Sequence, residues 1–185
     1  GPIEEADLED VERLFNTNFF GPLEMIKKVL PIMRKNNGGL IINITSIAGY
    51  FGLPFRGIYS ASKSALEIVT ESLRMEVRNF NIKITNIAPG VFKTDIVNRR
   101  IDSFNDKKSL YFSDYYRLWK NNNEHIEKSG SNPKMIALLV NKIINTKNPK
   151  IHYVVGNRFQ KFSIILKRLL PDLIFEKILT KYYKL

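Results

Sequence analysis

Apolar positions recur along this chain with two spacings, and the switch between them predicts the architecture. Val11, Leu14 and Phe15, then Met25, Val29, Leu30, Ile32 and Met33, keep the period of a helix, so Asp7 to Lys35 is predicted helical. Gly21 and Pro22 interrupt that run, and a bend is expected there. Asn36-Asn37-Gly38-Gly39 reads as a turn. Leu40 to Ile44 is short and almost wholly apolar, which suits a strand covered on both faces in a parallel sheet. Gly57 to Arg78 is predicted as a helix whose first turns carry the small residues Ser60, Ala61, Ser62, Ser64 and Ala65. Ile82 to Ala88 gives a second buried strand that Pro89-Gly90 ends. Residues 92–131 are polar, charged and aromatic with weak periodicity. Asn132-Pro133 opens a helix to about Thr146, with proline in its first turn. Ile151 to Val155 is a third strand, closed by Gly156, and 158–185 is a basic amphipathic tail broken by Pro171.

Helix, strand, helix, strand, helix, strand implies parallel strands joined by right-handed crossovers, hence an α/β fold read as one domain over 1–185. Folds of this kind hold their sites at the carboxyl ends of the strands. Chemistry is therefore sought just after Ile44 and just after Ala88.

Composition narrows the options. The 185 residues contain no cysteine, which excludes disulfides, thiolate nucleophiles and cysteine-bound metals. Only His125 and His152 offer imidazole, and neither lies in a metal or triad motif, so no metal site is expected. Gly1 to Asp10 is acidic and gives no secretory signal pattern, and no apolar run approaches the length of a membrane span. A cytoplasmic location is expected. The net charge is +11, yet residues 1–90 carry 10 Lys/Arg against 10 Asp/Glu, so the excess belongs to the C-terminal half. A solvated face accounts for it, and so does attraction to an anionic surface such as lipid headgroups. No nucleic-acid-binding signature accompanies the charge.

One constellation carries chemistry. Ser46 follows the first strand, Tyr59 comes 13 positions later, and Lys63 lies one helical turn beyond Tyr59 on the same face. A phenol near a fixed ammonium ionises more easily and can exchange a proton with an alcohol or carbonyl oxygen. A serine hydroxyl can hydrogen-bond the same oxygen as charge develops on it. Ser103, Tyr116 and Lys120 repeat the spacing with no strand before the serine, and are read as coincidence. Asn43-Ile44-Thr45 matches a glycosylation sequon but falls in the buried strand.

Ile41-Ile42-Asn43-Ile44-Thr45-Ser46-Ile47-Ala48-Gly49 followed by Tyr59-Ser60-Ala61-Ser62-Lys63 resembles the short-chain dehydrogenases/reductases. Asn16 to Gly21, Ile87 to Thr94 and Ile151 to Gly156 are similar to further segments of that family. The resemblance implies an incomplete Rossmann-type, doubly wound parallel sheet comprising strands five to seven. It implies Tyr59 as general acid/base, and Lys63 as the cation that eases its ionisation and binds the nicotinamide ribose. Ser46 would polarise the substrate oxygen, and Asn18 would hold a water in the proton relay. Pro89, Gly90, Val91 and Thr94 would touch the nicotinamide end of NAD or NADP. Residues 92–131 would be a substrate lid, and its Phe104, Tyr111, Phe112, Tyr115, Tyr116 and Trp119 suit either an apolar substrate or plain core packing.

The expected reaction interconverts a secondary alcohol and a ketone or aldehyde, with a homo-oligomer as the family's usual assembly. A binding or regulatory relative without activity is the alternative. A serine hydrolase centred on Ser46 ranks last, because it has no nucleophile-elbow motif. In the tail, Phe159, Phe162, Ile165, Leu166, Leu169 and Leu170 can share a face suited to docking on the domain, to dimerisation or to peripheral membrane contact. No Gly-rich pyrophosphate turn occurs in the chain, so the first strand is expected to have an unpaired edge. The 185 residues alone are expected to bind cofactor poorly and to turn over no ketone. Measurable ketone reduction by this chain alone would contradict that expectation.

Overall fold

The computed structural model describes residues 1–96 and 106–185. Three strands, β1 (Gly39–Ile44), β2 (Ile82–Pro89) and β3 (His152–Val155), form one parallel sheet in the order β1-β2-β3. Asn43, Asn86 and His152 share one row across it. Among the described residues β1 pairs only with β2, which leaves it at the edge of the sheet.

Helices cover both faces. Among the described residues they include α1 (Leu8–Phe15), α2 (Gly21–Lys35), α3 (Gly57–Glu76), α4 (Phe112–Ser129), α5 (Lys134–Ile144), α6 (Arg158–Leu169) and α7 (Asp172–Tyr183). On one face Val77, Ile82 and Ile84 pack with Leu30, Met33, Ile41 and Leu73, which come from α2, α3 and β1. On the other, Ile87, Ile143 and Val155 pack with Leu40, Ile42, Ile136, Leu139 and Val140, largely from α5. Successive β1 residues therefore serve opposite faces, which is why this strand is almost continuously apolar.

Two expectations need correction. The interruption of the long N-terminal helix falls just before Gly21-Pro22. The chain passes through a π-helical turn, Asn16–Phe20, and restarts at Gly21, with Pro22 in the first turn of α2 where its missing N–H costs nothing. The irregular aromatic region holds an 18-residue helix, α4. One side carries a ladder of stacked rings, Phe112 on Tyr116 at 5.7 Å and Tyr116 on Trp119 at 6.0 Å, with charged residues between and asparagines after. Phe104 and Ser103 lie outside the described residues. The sequon residue Asn43 is buried, and its amide donates to Thr70 at 2.8 Å.

Ile87 is fully buried at the centre of the second cluster. Ile87→Ala is expected to lower unfolding free energy by about 2–5 kcal/mol in urea titration. A loss well under 1 kcal/mol would show that β2 is not the core strand described.

Candidate active site

The chain leaves β1 with one more ladder bond, Thr45 N–H to the Ile87 carbonyl at 2.8 Å, and then turns. Ser46 is extended (φ −164°, ψ 153°) and starts a 3₁₀ turn, Ile47–Gly49, its Oγ accepting from the Ala48 N–H at 3.1 Å. That bond uses a lone pair and leaves the hydroxyl hydrogen for another acceptor. The turn lies against α3. A Cβ on Gly49 would come within 3.1 Å of the Lys63 carbonyl carbon and 3.2 Å of the Ser64 nitrogen, so only glycine allows this approach without a shift.

Lys63 sends its ammonium to the Ile44 carbonyl at 3.1 Å, at the end of β1 and two residues before Ser46. It is half-buried, and burial pulls its pKa down from the ordinary lysine range. Tyr59 is half-buried one turn earlier on α3. Asn18 sits in the π-helical turn and donates to Ser62 Oγ at 3.1 Å. Ser62 in turn donates to the Tyr59 carbonyl at 2.8 Å. Lys63 thus reaches the end of β1 two residues before Ser46, Tyr59 precedes Lys63 by one turn of α3, and Asn18 meets the same helix at Ser62.

Pro89, Gly90 and Val91 emerge from the neighbouring strand at the same edge of the sheet. Gly90 N–H donates to the Val155 carbonyl at 2.7 Å, and a Cβ on Gly90 would run into Gln160 and Ile47. Val91 N–H donates to Gln160 Oε1 at 3.4 Å, which fastens this loop to the start of α6. Thr94 is exposed three residues past Val91.

Sequence reasoning did not find the groups beneath the site. The Glu67 carboxylate, one turn past Lys63, is buried and accepts from Thr45 Oγ1 and, at 2.8 Å, from Asn86 Nδ2. His152 Nδ1 lies 2.9 Å from Glu67, and its Nε2 lies 2.9 Å from Glu71. Burial, then the charge of Glu67, push the Tyr50 phenol up. Arg74, two turns further along α3, donates to the carbonyls of Ile84 at 2.5 Å and Pro149 at 2.8 Å. The signal was a polar row, Tyr59, Lys63, Glu67, Thr70 and Arg74, at helical spacing on α3.

A family model described as short chain dehydrogenase matches residues 1–103. The 3-ketodihydrosphingosine reductase of Bacteroides thetaiotaomicron is 39% identical over 184 residues, covering 99% of this chain and 68% of its own length. A short-chain dehydrogenase from Streptomyces avermitilis superposes with a TM-score of 0.75 at 25% identity, over 100% of this chain and 64% of its own. A short-chain dehydrogenase/reductase from Burkholderia phymatum, solved in complex with NAD, has a TM-score of 0.74 at 22% identity, over 91% of this chain and 60% of its own. The chain therefore spans about two thirds or less of the proteins it resembles.

Proposed function

The chain belongs to the short-chain dehydrogenase family, and we propose that it is the catalytic portion of an oxidoreductase that interconverts a secondary alcohol and a ketone or aldehyde with NAD or NADP. One observation carries this reading. The Lys63 ammonium is bonded to the last carbonyl of β1, two residues before Ser46, and Tyr59 precedes Lys63 by one turn on the same helix.

The residues present suit the nicotinamide end of such a cofactor. A lysine ammonium has three N–H donors and Ile44 takes one, so two remain for ribose hydroxyls. Pro89, Gly90, Val91 and Thr94 would flank the nicotinamide. The cofactor, when bound, supplies the hydride equivalent that no protein side chain can.

The protein groups handle the oxygen and its proton. In the reducing direction Tyr59 gives its phenolic proton to the substrate oxygen as the carbonyl becomes an alcohol. Lys63 stabilises the phenolate left behind, which its half-buried position favours because water screens the pair less. Ser46 donates its unused hydroxyl hydrogen to the same substrate oxygen while negative charge builds there. Asn18, tied through Ser62 to the backbone of Tyr59, holds the π-helical turn against α3, and its role in this reading is to hold a water of the proton relay toward Lys63.

A relative named for 3-ketodihydrosphingosine supports a ketone as substrate. The ring ladder of α4 supports an apolar one, with residues 92–131 as its lid.

The test uses a protein that carries this segment together with a Gly-rich nucleotide-binding half. Tyr59→Phe is expected to lower kcat for ketone reduction by about 10²- to 10⁴-fold with unchanged circular dichroism. Ser46→Ala is expected to cost about 10²- to 10³-fold. Full turnover by Tyr59→Phe would overturn the assignment.

A further inference from the structure

The last two helices form an antiparallel hairpin whose inner side is packed and whose outer side is not. Inward, Ile164 and Phe175 are buried, and Phe175 meets Phe51 edge-on at 5.2 Å. The hairpin is well specified at its start by the capping box of Asn157 and Gln160. Outward, α6 exposes Phe159 (58%), Phe162 (52%), Ile165 (50%) and Leu169 (74%), three or four residues apart and so on one side. The tail face read from sequence is corrected in part here, since Leu166 and Leu170 are half-buried. On α7, Ile174, Ile178 and Tyr182 are exposed at a spacing of four.

These rows are one patch, because the Phe159 and Tyr182 rings stack at 5.6 Å across the hairpin. Singly exposed apolar residues are ordinary on protein surfaces, but a continuous patch marks a binding surface. Basic residues border it. Arg158, Lys161, Lys177, Lys181 and Lys184 are exposed, and residues 158–185 contain only Asp172 and Glu176 as acids.

We propose that this hairpin lies on an anionic lipid bilayer, its apolar face among the acyl chains and its lysines among the headgroups. Charge selects this occupant. A second copy docking through the same face would bring two basic borders together, and like charges brought together across an interface cost affinity. Anionic headgroups complement the border and the acyl region takes the apolar rows. Among the described residues no helix is long and apolar enough to cross a membrane, which fits a helix pair lying in the interface plane.

The hairpin is also joined to the candidate site. Gln160 of α6 holds the loop after β2, and Arg117 of α4 donates to the carbonyls of Tyr183 at 3.4 Å and Lys184 at 2.9 Å. Bilayer contact thus sets the loop after β2 and the aromatic helix beside a reservoir of apolar molecules. The inference is independent of the oxidoreductase reading, because its test reads binding and not turnover.

The test is co-sedimentation of the full chain with phosphatidylcholine vesicles, with and without phosphatidylserine. The chain is expected to pellet with the anionic vesicles and to be partly released by added salt. Phe162→Glu combined with Ile165→Glu is expected to abolish pelleting, and Lys161→Glu combined with Lys181→Glu to weaken it at least about tenfold. Circular dichroism of both variants, changed only at exposed positions, should match the parent. Equal pelleting with neutral vesicles, no pelleting at all, or variants that pellet like the parent would overturn the proposal. So would a dimer that Phe162→Glu dissociates while vesicle binding stays unchanged, an outcome that would assign the face to a second copy.

Discussion

A single buried carboxylate ties the helix that carries Tyr59 and Lys63 to the exit of β1 and to β2 and β3. Glu67 reaches Thr45 beyond β1, Asn86 on β2 and His152 on β3. Asn86 and His152 are register partners, and Asn43, next in the same row, bonds Thr70 one turn further along α3. A polar row of the sheet therefore meets a polar row of the helix. A buried charge of this kind is costly when a partner is missing and tolerable when all are present, so it tolerates one alignment of helix on sheet. Apolar packing alone permits sliding, since neighbouring hydrophobic contacts are nearly equivalent.

That alignment is what the site requires. Lys63 is one turn from Glu67 and Tyr59 one turn beyond, so the bonds that hold Glu67 also fix how far Lys63 stands from the Ile44 carbonyl. The close approach at Gly49 sets the depth of the Ser46 turn against the same helix. At the other side of the sheet edge, Gln160 bonds Val91, while Gly90 bonds Val155, so the loop after β2 is held by β3 and α6. Under the proposed reading, groups held in this way would lose little in reorganisation when charge develops on a substrate.

The apolar runs at Leu40, Ile82 and Ile151 made the strands legible, because a strand buried on both faces leaves an unbroken signal. Tyr59 and Lys63 were legible because one turn separates them and a strand end precedes them. The polar row on α3 was not. Helical spacing alone does not tell a solvent face from a buried polar row, and tertiary partners are what turn Glu67, Thr70 and Arg74 inward. The π-helical turn at Asn16–Phe20 was hidden because an extra residue in a helix leaves no composition mark, whereas Gly21 and Pro22 drew attention one turn too late. Helix α4 escaped because stacked rings, not aliphatic side chains, line one of its sides.

Native-state hydrogen exchange on Glu67→Ala against the parent chain tests the alignment claim directly. The account predicts that the Thr45 amide, bonded to Ile87, and the Asn86 amide, bonded to Ile151, lose protection together by about 3 kcal/mol while the chain stays folded. Unchanged protection at both amides, or a loss confined to α3, would contradict it.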